Sequence, residues 1–467
     1  MQRGVSFALK KNQCMTQLQR WAGAQRFIWN AKRSESEYFY NFGSKFVPMT
    51  QWQGSKTNPN PEFILVDQQY SQFKSREVTP WLFDVPSQVL RNAATEWFQT
   101  QWKFMRGECG APRKKHRDDG DSLYLTKELF RFDRDKHGNI KLWIGTNKFP
   151  VGYLNVNWHT KNFQMPNSIR IKISKFGQWK VSCSYDDGLG DDVNLEVAQK
   201  AWLKALREKS KADILELTEG IDRGVTIPVA TTTASFAMTA AEKKRLHEHE
   251  VRRKRWQRQL ARQQKGSKRR NLTKQKIASC FEQQTNIRKD FAHKTTHTLV
   301  EKTSATVFVL ENLAVKNMTR SAKGTIEKPG KNVAAKSGLN REILAVGWHR
   351  FQTYLTYKAL RKGKIVFKVN PHYSSQECAI CSHTHQDNRL TQSEFCCVQC
   401  AHKANADTNA ATVLKNRLAK LILDSGTELR DGVLRPRVKD GRDRKITKSS
   451  DPKGSTTRQK RQEAQVS

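Results

Sequence analysis

The sequence predicts an α+β protein of several domains, with a small β-barrel, an RNase H-like mixed-sheet core and a zinc-binding insert. Three acidic residues stand at the ends of apolar stretches far apart in the chain. They are Asp222 in Gly220-Ile221-Asp222-Arg223-Gly224, Glu311 in Val307-Phe308-Val309-Leu310-Glu311, and Asp407 in Asn405-Ala406-Asp407-Thr408-Asn409. Between the last two lie two C-x-x-C pairs, Cys378/Cys381 and Cys397/Cys400. From Ser122 to Tyr185 the pattern is that of short strands. At 467 residues the chain is long enough for two or more domains.

Val5-Ser6-Phe7-Ala8-Leu9 alternates like a short strand. Leu18, Trp21, Ala22, Ile28 and Trp29 then fall on one helical face, and Val89, Leu90, Ala93, Trp97 and Phe98 repeat the pattern after Pro86. Residues 51–61 are polar, with Gly and Pro, and read as a loop; residues 107–121 read as a linker. Ile169 to Ile173 and Trp179 to Cys183 alternate with period two around a Phe-Gly turn, and several such strands suggest a small barrel. Leu215 to Thr231 reads as two strands that bend at Arg223-Gly224, which puts Asp222 at the turn. Thr306 to Leu310 is a buried-type strand, residues 319–338 a Gly/Lys/Ser loop, Trp348 to Leu360 a helix, Lys364 to Val369 a strand and Ala410 to Leu423 a helix. The polar, charged segment beyond Asp424 is expected to be disordered.

A carboxylate beside buried strands is costly unless something pairs with it. Three that converge, two on strands and one on a late helix, suit a divalent metal site for phosphodiester chemistry. Two Mg²⁺ ions about 4 Å apart would share Asp222, Glu311 and Asp407, one polarising the attacking water and one the leaving 3′ oxygen. Hard oxygen ligands suit Mg²⁺. The four cysteines, with 15 residues between the pairs, match a two-knuckle zinc site. Four thiolates leave no open position for water, so that zinc is structural. Cys396 is a possible substitute ligand. Nearby His383, His385 and His402 face solvent or phosphate in this reading.

Lys and Arg number 84 against 44 Asp and Glu, a net charge of +40 that calls for a polyanionic partner. From Lys243 to Lys276, 15 of 34 residues are Lys or Arg and two are Glu, too one-signed for a helix that stands alone. Gly266 should break it into a helical hairpin that tracks phosphates. Lys254, Arg255, Lys268, Arg269 and Arg270, with Arg288 beyond, are the candidate nucleic-acid contacts. There is no membrane-spanning run and no signal-peptide h-region. The cysteine usage fits a reducing compartment, so the protein is read as cytoplasmic and nucleoid-associated.

These residues resemble TnpB, the RNA-guided nuclease of small bacterial transposons and relative of compact type V CRISPR effectors. The resemblance runs from about Val5 to Leu423. It rests on the three acidic motifs, on Trp21-Ala22-Gly23, Arg26-Phe27-Ile28-Trp29-Asn30 and Trp81-Leu82-Phe83-Asp84-Val85-Pro86-Ser87, and on Gly266-Ser267-Lys268-Arg269-Arg270, Asn286 to Phe291, Ser374-Ser375-Gln376-Glu377-Cys378 and Asn388-Arg389. It implies a split wedge β-barrel (residues 1–11 and 121–212) interrupted by a helical recognition domain (12–120). It also implies an RNase H-like RuvC domain (213–376 and 401–423) with a zinc-ribbon insert (377–400), followed by a disordered tail (424–467). By motif match, Asp222, Glu311 and Asp407 hold Mg²⁺, and Cys378, Cys381, Cys397 and Cys400 hold one Zn²⁺. The implied partners are a guide RNA from the transposon end and double-stranded target DNA, with the protein reading a short motif beside the target. One RuvC site then cuts both strands, and a monomer is favoured. Ser382 and Ala401 stand where the family often has Gly. A compact type V CRISPR effector, a guided regulator that does not cut, and an unguided RuvC-like resolvase remain alternatives.

Overall fold

The computed structural model describes residues 2–9, 13–42, 68–117, 120–158, 165–174, 178–186, 195–325, 327–389 and 391–436. The loop expected at 51–61, the Phe-Gly turn at 176–177 and the tail beyond 436 lie outside these residues.

The first elements are β1 (Gln2–Leu9), α1 (Cys14–Phe42), α2 (Ser87–Met105), β2 (Asp121–Thr126), β3 (Phe130–Arg134), β4 (Ile140–Gly145) and β5 (Pro150–Leu154). Next come β6 (Val156–Asn157), β7 (Ser168–Ile173), β8 (Trp179–Asp186), α3 (Leu195–Arg207), α4 (Lys211–Leu217), β9 (Thr218–Asp222), β10 (Val229–Thr231) and β11 (Ser235–Phe236). The chain continues with α5 (Ala240–Arg262), α6 (Lys268–Lys302), β12 (Val307–Glu311), α7 (Val315–Met318), α8 (Val333–Val346), α9 (Trp348–Arg361) and β13 (Ile365–Val369). Last are β14 (Glu394–Cys396), β15 (Lys403–Asn405), α10 (Ala406–Leu423), β16 (Thr427–Arg430) and β17 (Val433–Pro436).

These elements fall into two compact units. The first comprises Met1–Asn194, Ala237–Glu301 and Val346–Arg361. Its strands form a five-stranded antiparallel sheet, in the order β2-β7-β8-β1-β6, and a three-stranded sheet, β3-β4-β5. The register sets Ile171 between Leu123 and Val181, all buried. The apolar face of α1, with Leu18, Trp21, Ala22 and Ile28, and that of α2, with Val89, Leu90 and Ala93, join the same core. Buried Gln25 binds them: its amide donates to Val89 O (3.0 Å) and Tyr124 O (2.8 Å), and its oxygen accepts from Tyr124 N (3.0 Å). The helices expected as a domain apart therefore share one core with the strands.

The basic segment is a helical hairpin, as its composition predicts. Thr239 and Glu242 form a capping box that starts α5, and Gly266 lies in the break at φ 86°. This hairpin and α9 were expected inside one block, 213–376, but they pack with the first unit. Lys180 of β8 pairs with Glu282 of α6 at 2.5 Å, and His293 of α6 stacks on Tyr354 of α9 with ring centroids 3.9 Å apart.

The second unit comprises Leu195–Phe236, Lys302–Ala345 and Lys362–Ser467. Its seven-stranded mixed sheet has the order β11-β10-β9-β12-β13-β17-β16. β9, β12, β13 and β17 are mutually parallel, while β10, β11 and β16 run antiparallel to their partners. All five residues of β12 are buried, as a central parallel strand covered on both faces requires.

Three expectations need correction here. Helix α3, expected within 121–212, packs with this unit, where buried Gln199 donates to Val366 O at 2.7 Å. The loop expected at 319–338 gives way to α8 at Val333. Residues 427–436, expected to be disordered, form the β16–β17 hairpin, with Val433 and Leu434 buried and Val433 paired to Lys368. The signal was present in Asp431-Gly432, whose positive φ values (53° and 72°) make the tight turn such dipeptides favour.

Candidate functional site

The three acids are delivered by the mixed sheet and α10. Asp222 ends β9 and Glu311 ends β12, adjacent parallel strands whose last ladder pair is Ile221–Leu310. Asp407 lies in the first turn of α10, where the helix dipole favours an acid. Asn405 starts that helix by accepting from Asp407 N (3.0 Å) and Thr408 N (3.3 Å). Gly220 lets α10 cross β9 closely: a Cβ there would lie 2.0 Å from Ala411 O.

Burial, then the charges of Glu311 and Asp407, raise the Asp222 carboxyl to about 7, against smaller opposing effects from the Arg223 N–H and Arg389. Burial also raises Glu311, offset by Arg223 and by Ser374, whose hydroxyl donates to Glu311 Oε1 at 3.3 Å. Asp407 is raised by burial and lowered by Arg389, whose Nη2 is 3.8 Å from Oδ1. The three acids thus form one electrostatic cluster short of positive charge, with hard oxygen donors that fit Mg²⁺. Among the described residues, the one group of three or more such side chains whose ligand atoms lie close enough together to hold a metal ion is the set of four cysteines below.

The sulfurs of Cys378, Cys381, Cys397 and Cys400 all lie within 4.8 Å of one another. Cys378 and Cys400 are 3.6 Å apart, and Cys381 and Cys397 3.5 Å. Tetrahedral zinc with bonds of about 2.3 Å needs sulfurs roughly 3.8 Å apart, so the group fits the ion. Each knuckle closes by paired backbone bonds: Cys378 N to His383 O and Ser382 N to Cys378 O, then Cys397 N to His402 O and Ala401 N to Cys397 O. Ser382 (φ 60°) and Ala401 (φ 58°) take the left-handed conformation that glycine adopts freely. Cys396 pairs with Lys403 on the β14–β15 ladder and is outside the cluster.

The knuckles dock on the helix that carries Asp407. Asn409 exchanges bonds with Ala379 N (3.0 Å) and Glu377 O (2.8 Å), and Asn416 donates to Ala379 O (2.8 Å). Arg417 grips the Glu377 carboxylate and donates to Asn370 O and His372 O. Fully buried Asn388 links the knuckles, donating to Gln376 O and His383 O and accepting from Val398 N.

Residues 206–322 match the family described as "Probable transposase" (OrfB_IS605), and residues 348–414 match the Cas12f1-like TNB domain. The Escherichia coli (strain K12) protein named "Putative RNA-guided DNA endonuclease InsQ" is 31% identical over 398 residues, 85% of this chain and 87% of its own length. The chain belongs to the TnpB family. This TnpB chain is also 37% identical to the CRISPR-associated endodeoxyribonuclease Cas12f1 of Sulfoacidibacillus thermotolerans, over 79 residues, 17% of this chain and 19% of that protein. Its fold resembles that of Cas12f1 solved with sgRNA and target DNA, at a TM-score of 0.51 and 14% identity, covering 86% of this chain and 83% of that one.

The candidate phosphate contacts of this TnpB chain are not alike. Lys254, Arg255, Lys268 and Arg269 are exposed on the hairpin. Arg270 instead donates to Leu260 O and Gln263 O and so closes the C-terminal end of α5. Arg288 is half-buried and has its own partner. Sequence reasoning assigned no role to Arg223, Ser374, Arg389, Asn409 or Arg417. Their types are ordinary, and only the pairing of distant elements gives them work.

Proposed function

We propose that this protein is an RNA-guided DNA endonuclease of the TnpB type, cutting with the site formed by Asp222, Glu311 and Asp407. The gathering of these three acids at the ends of two adjacent parallel strands and one helix carries the reading. The relation to InsQ, across most of both chains, supports guidance by RNA and action on DNA. The match to Cas12f1 spans far less of the chain, which favours the transposon-type nuclease over a CRISPR effector. All three acids are present, which favours cutting over guided repression.

In this reading the mixed sheet with α10 is the RuvC domain, Cys378 to Cys400 the zinc ribbon, and the two antiparallel sheets with α1 and α2 the wedge and recognition parts. Asp222, Glu311 and Asp407 would hold the Mg²⁺, which when bound would supply water activation and charge neutralisation at the scissile phosphate. Ser374 orients Glu311 by its hydroxyl, and Arg389 presents a guanidinium beside Asp407 that suits an incoming phosphate. The structural Zn²⁺ on the four cysteines fixes the knuckles and, through Asn409, Asn416 and Arg417, the helix that bears Asp407. The exposed lysines and arginines of the hairpin track nucleic-acid phosphates. One monomer cuts both strands in turn, at the nucleoid.

The Asp222→Ala protein, loaded with guide RNA, is expected to bind matched DNA as the wild type does and to leave it uncut. Cleavage at the wild-type rate would remove Asp222 from the metal site.

A further inference from the structure

The ladder between β9 and β12 stops at Ile221 and Leu310, one residue short of the two acids. There the strands part. β9 turns away, with Gly224 N closing on Ile227 O at 3.1 Å, while β12 stays with β13, Asn312 N donating to Val369 O at 2.9 Å. Successive residues of a strand point their main-chain groups to opposite neighbours, so the Glu311 carbonyl faces the side that β9 has left. A buried carbonyl without a donor is costly. Arg223, next to Asp222, supplies the donor: its Nη2 bonds to the main-chain oxygen of Glu311.

Arg223 is only 5% exposed. A buried guanidinium costs much solvation, and a packed apolar residue would serve stability as well or better. Its charge interacts with both Glu311 and Asp222, which otherwise repel each other. We infer that Arg223 is a positioning residue of the catalytic centre: its side chain replaces the missing ladder bond and sets the separation of Asp222 and Glu311 before metal arrives. The inference rests on the reading of these acids as metal ligands.

The test is direct binding of Mn²⁺, read by electron paramagnetic resonance of the free ion, to RNA-free full-length protein that retains its zinc. Wild type, Arg223→Met, Arg223→Lys and Asp222→Ala are compared, with folding checked by circular dichroism and zinc content. By electrostatics alone, loss of a cation would tighten a dication. Positioning predicts the opposite, an affinity about tenfold weaker in Arg223→Met. Half-saturating Mg²⁺ for cleavage should rise with it, while the rate at saturation recovers. Unchanged or tighter Mn²⁺ binding by Arg223→Met overturns the inference. If that variant does not fold, Arg223→Lys decides: it keeps the charge but loses the planar fork. Severalfold weaker binding supports positioning, and wild-type affinity overturns it. Should Asp222→Ala bind Mn²⁺ as the wild type does, the metal-site reading falls instead.

Discussion

Asp222 has an ordinary carboxyl value of 3.8, raised to about 7 when folded, by burial first and by Glu311 and Asp407 next. Between those values the folded chain binds a proton that the unfolded chain releases. The contribution to stability is therefore complete below 3.8 and is lost as pH rises through about 7. In the proposed function Mg²⁺ would take the proton's place as the compensating charge, so its stabilising effect would grow through the same window. Thermal melting in chelator is expected to show a fall in Tm with rising pH that Asp222→Asn flattens and Mg²⁺ reverses. A chelated wild type and Asp222→Asn with parallel pH profiles would refute the assignment. Each proposed acid has a local sequence signal: Glu311 follows an apolar run, Asp222 closes a short buried strand, and Asp407 precedes the apolar-periodic helix. The charges around them have none: Arg223 and Arg389 lie 166 positions apart and share a site only because β9 and the zinc knuckles meet near α10.

At the scale of elements, the contact between β9 and α10 holds Asp222 and Asp407 together. Gly220→Ala would drive a methyl to 2.0 Å from Ala411 O, where backbone must move on one side or the other. A loss of about 3 kcal/mol in denaturant unfolding is expected, with cleavage falling further than stability alone explains. A neutral Gly220→Ala would show that the helix is not seated on this strand. The zinc knuckles make a second such contact. Cys378→Ser is expected to lower zinc from one per chain to near none, and to cost about a hundredfold in cleavage by loosening the helix under Asp407. Full zinc content in that variant would refute the four-cysteine site. β9, β12, the hairpin break at Gly266 and the cysteine pairs were all legible, since each has a local signal. The β16–β17 hairpin was missed because its charged flanks outweighed one Asp-Gly turn. Helix α3 was misplaced because nothing local shows which sheet receives Gln199.

Over the whole molecule, a net charge of +40 marks a chain suited to hold a polyanion. The basic hairpin belongs to the first unit, and the acids with the cysteines belong to the second. Charge alone says nothing about which nucleic acid is chosen or how. In the proposed function, RNA selects the DNA cut by the Asp222, Glu311 and Asp407 site. This is tested most directly by coexpressing the protein with its adjoining transposon-end RNA, replacing the variable 3′ segment of that RNA, and sequencing the ends of the plasmids that are cut. The cut is expected to move to the DNA matching the new segment, with the old target left intact. Cutting that ignores the RNA segment, or that proceeds without RNA, would contradict it.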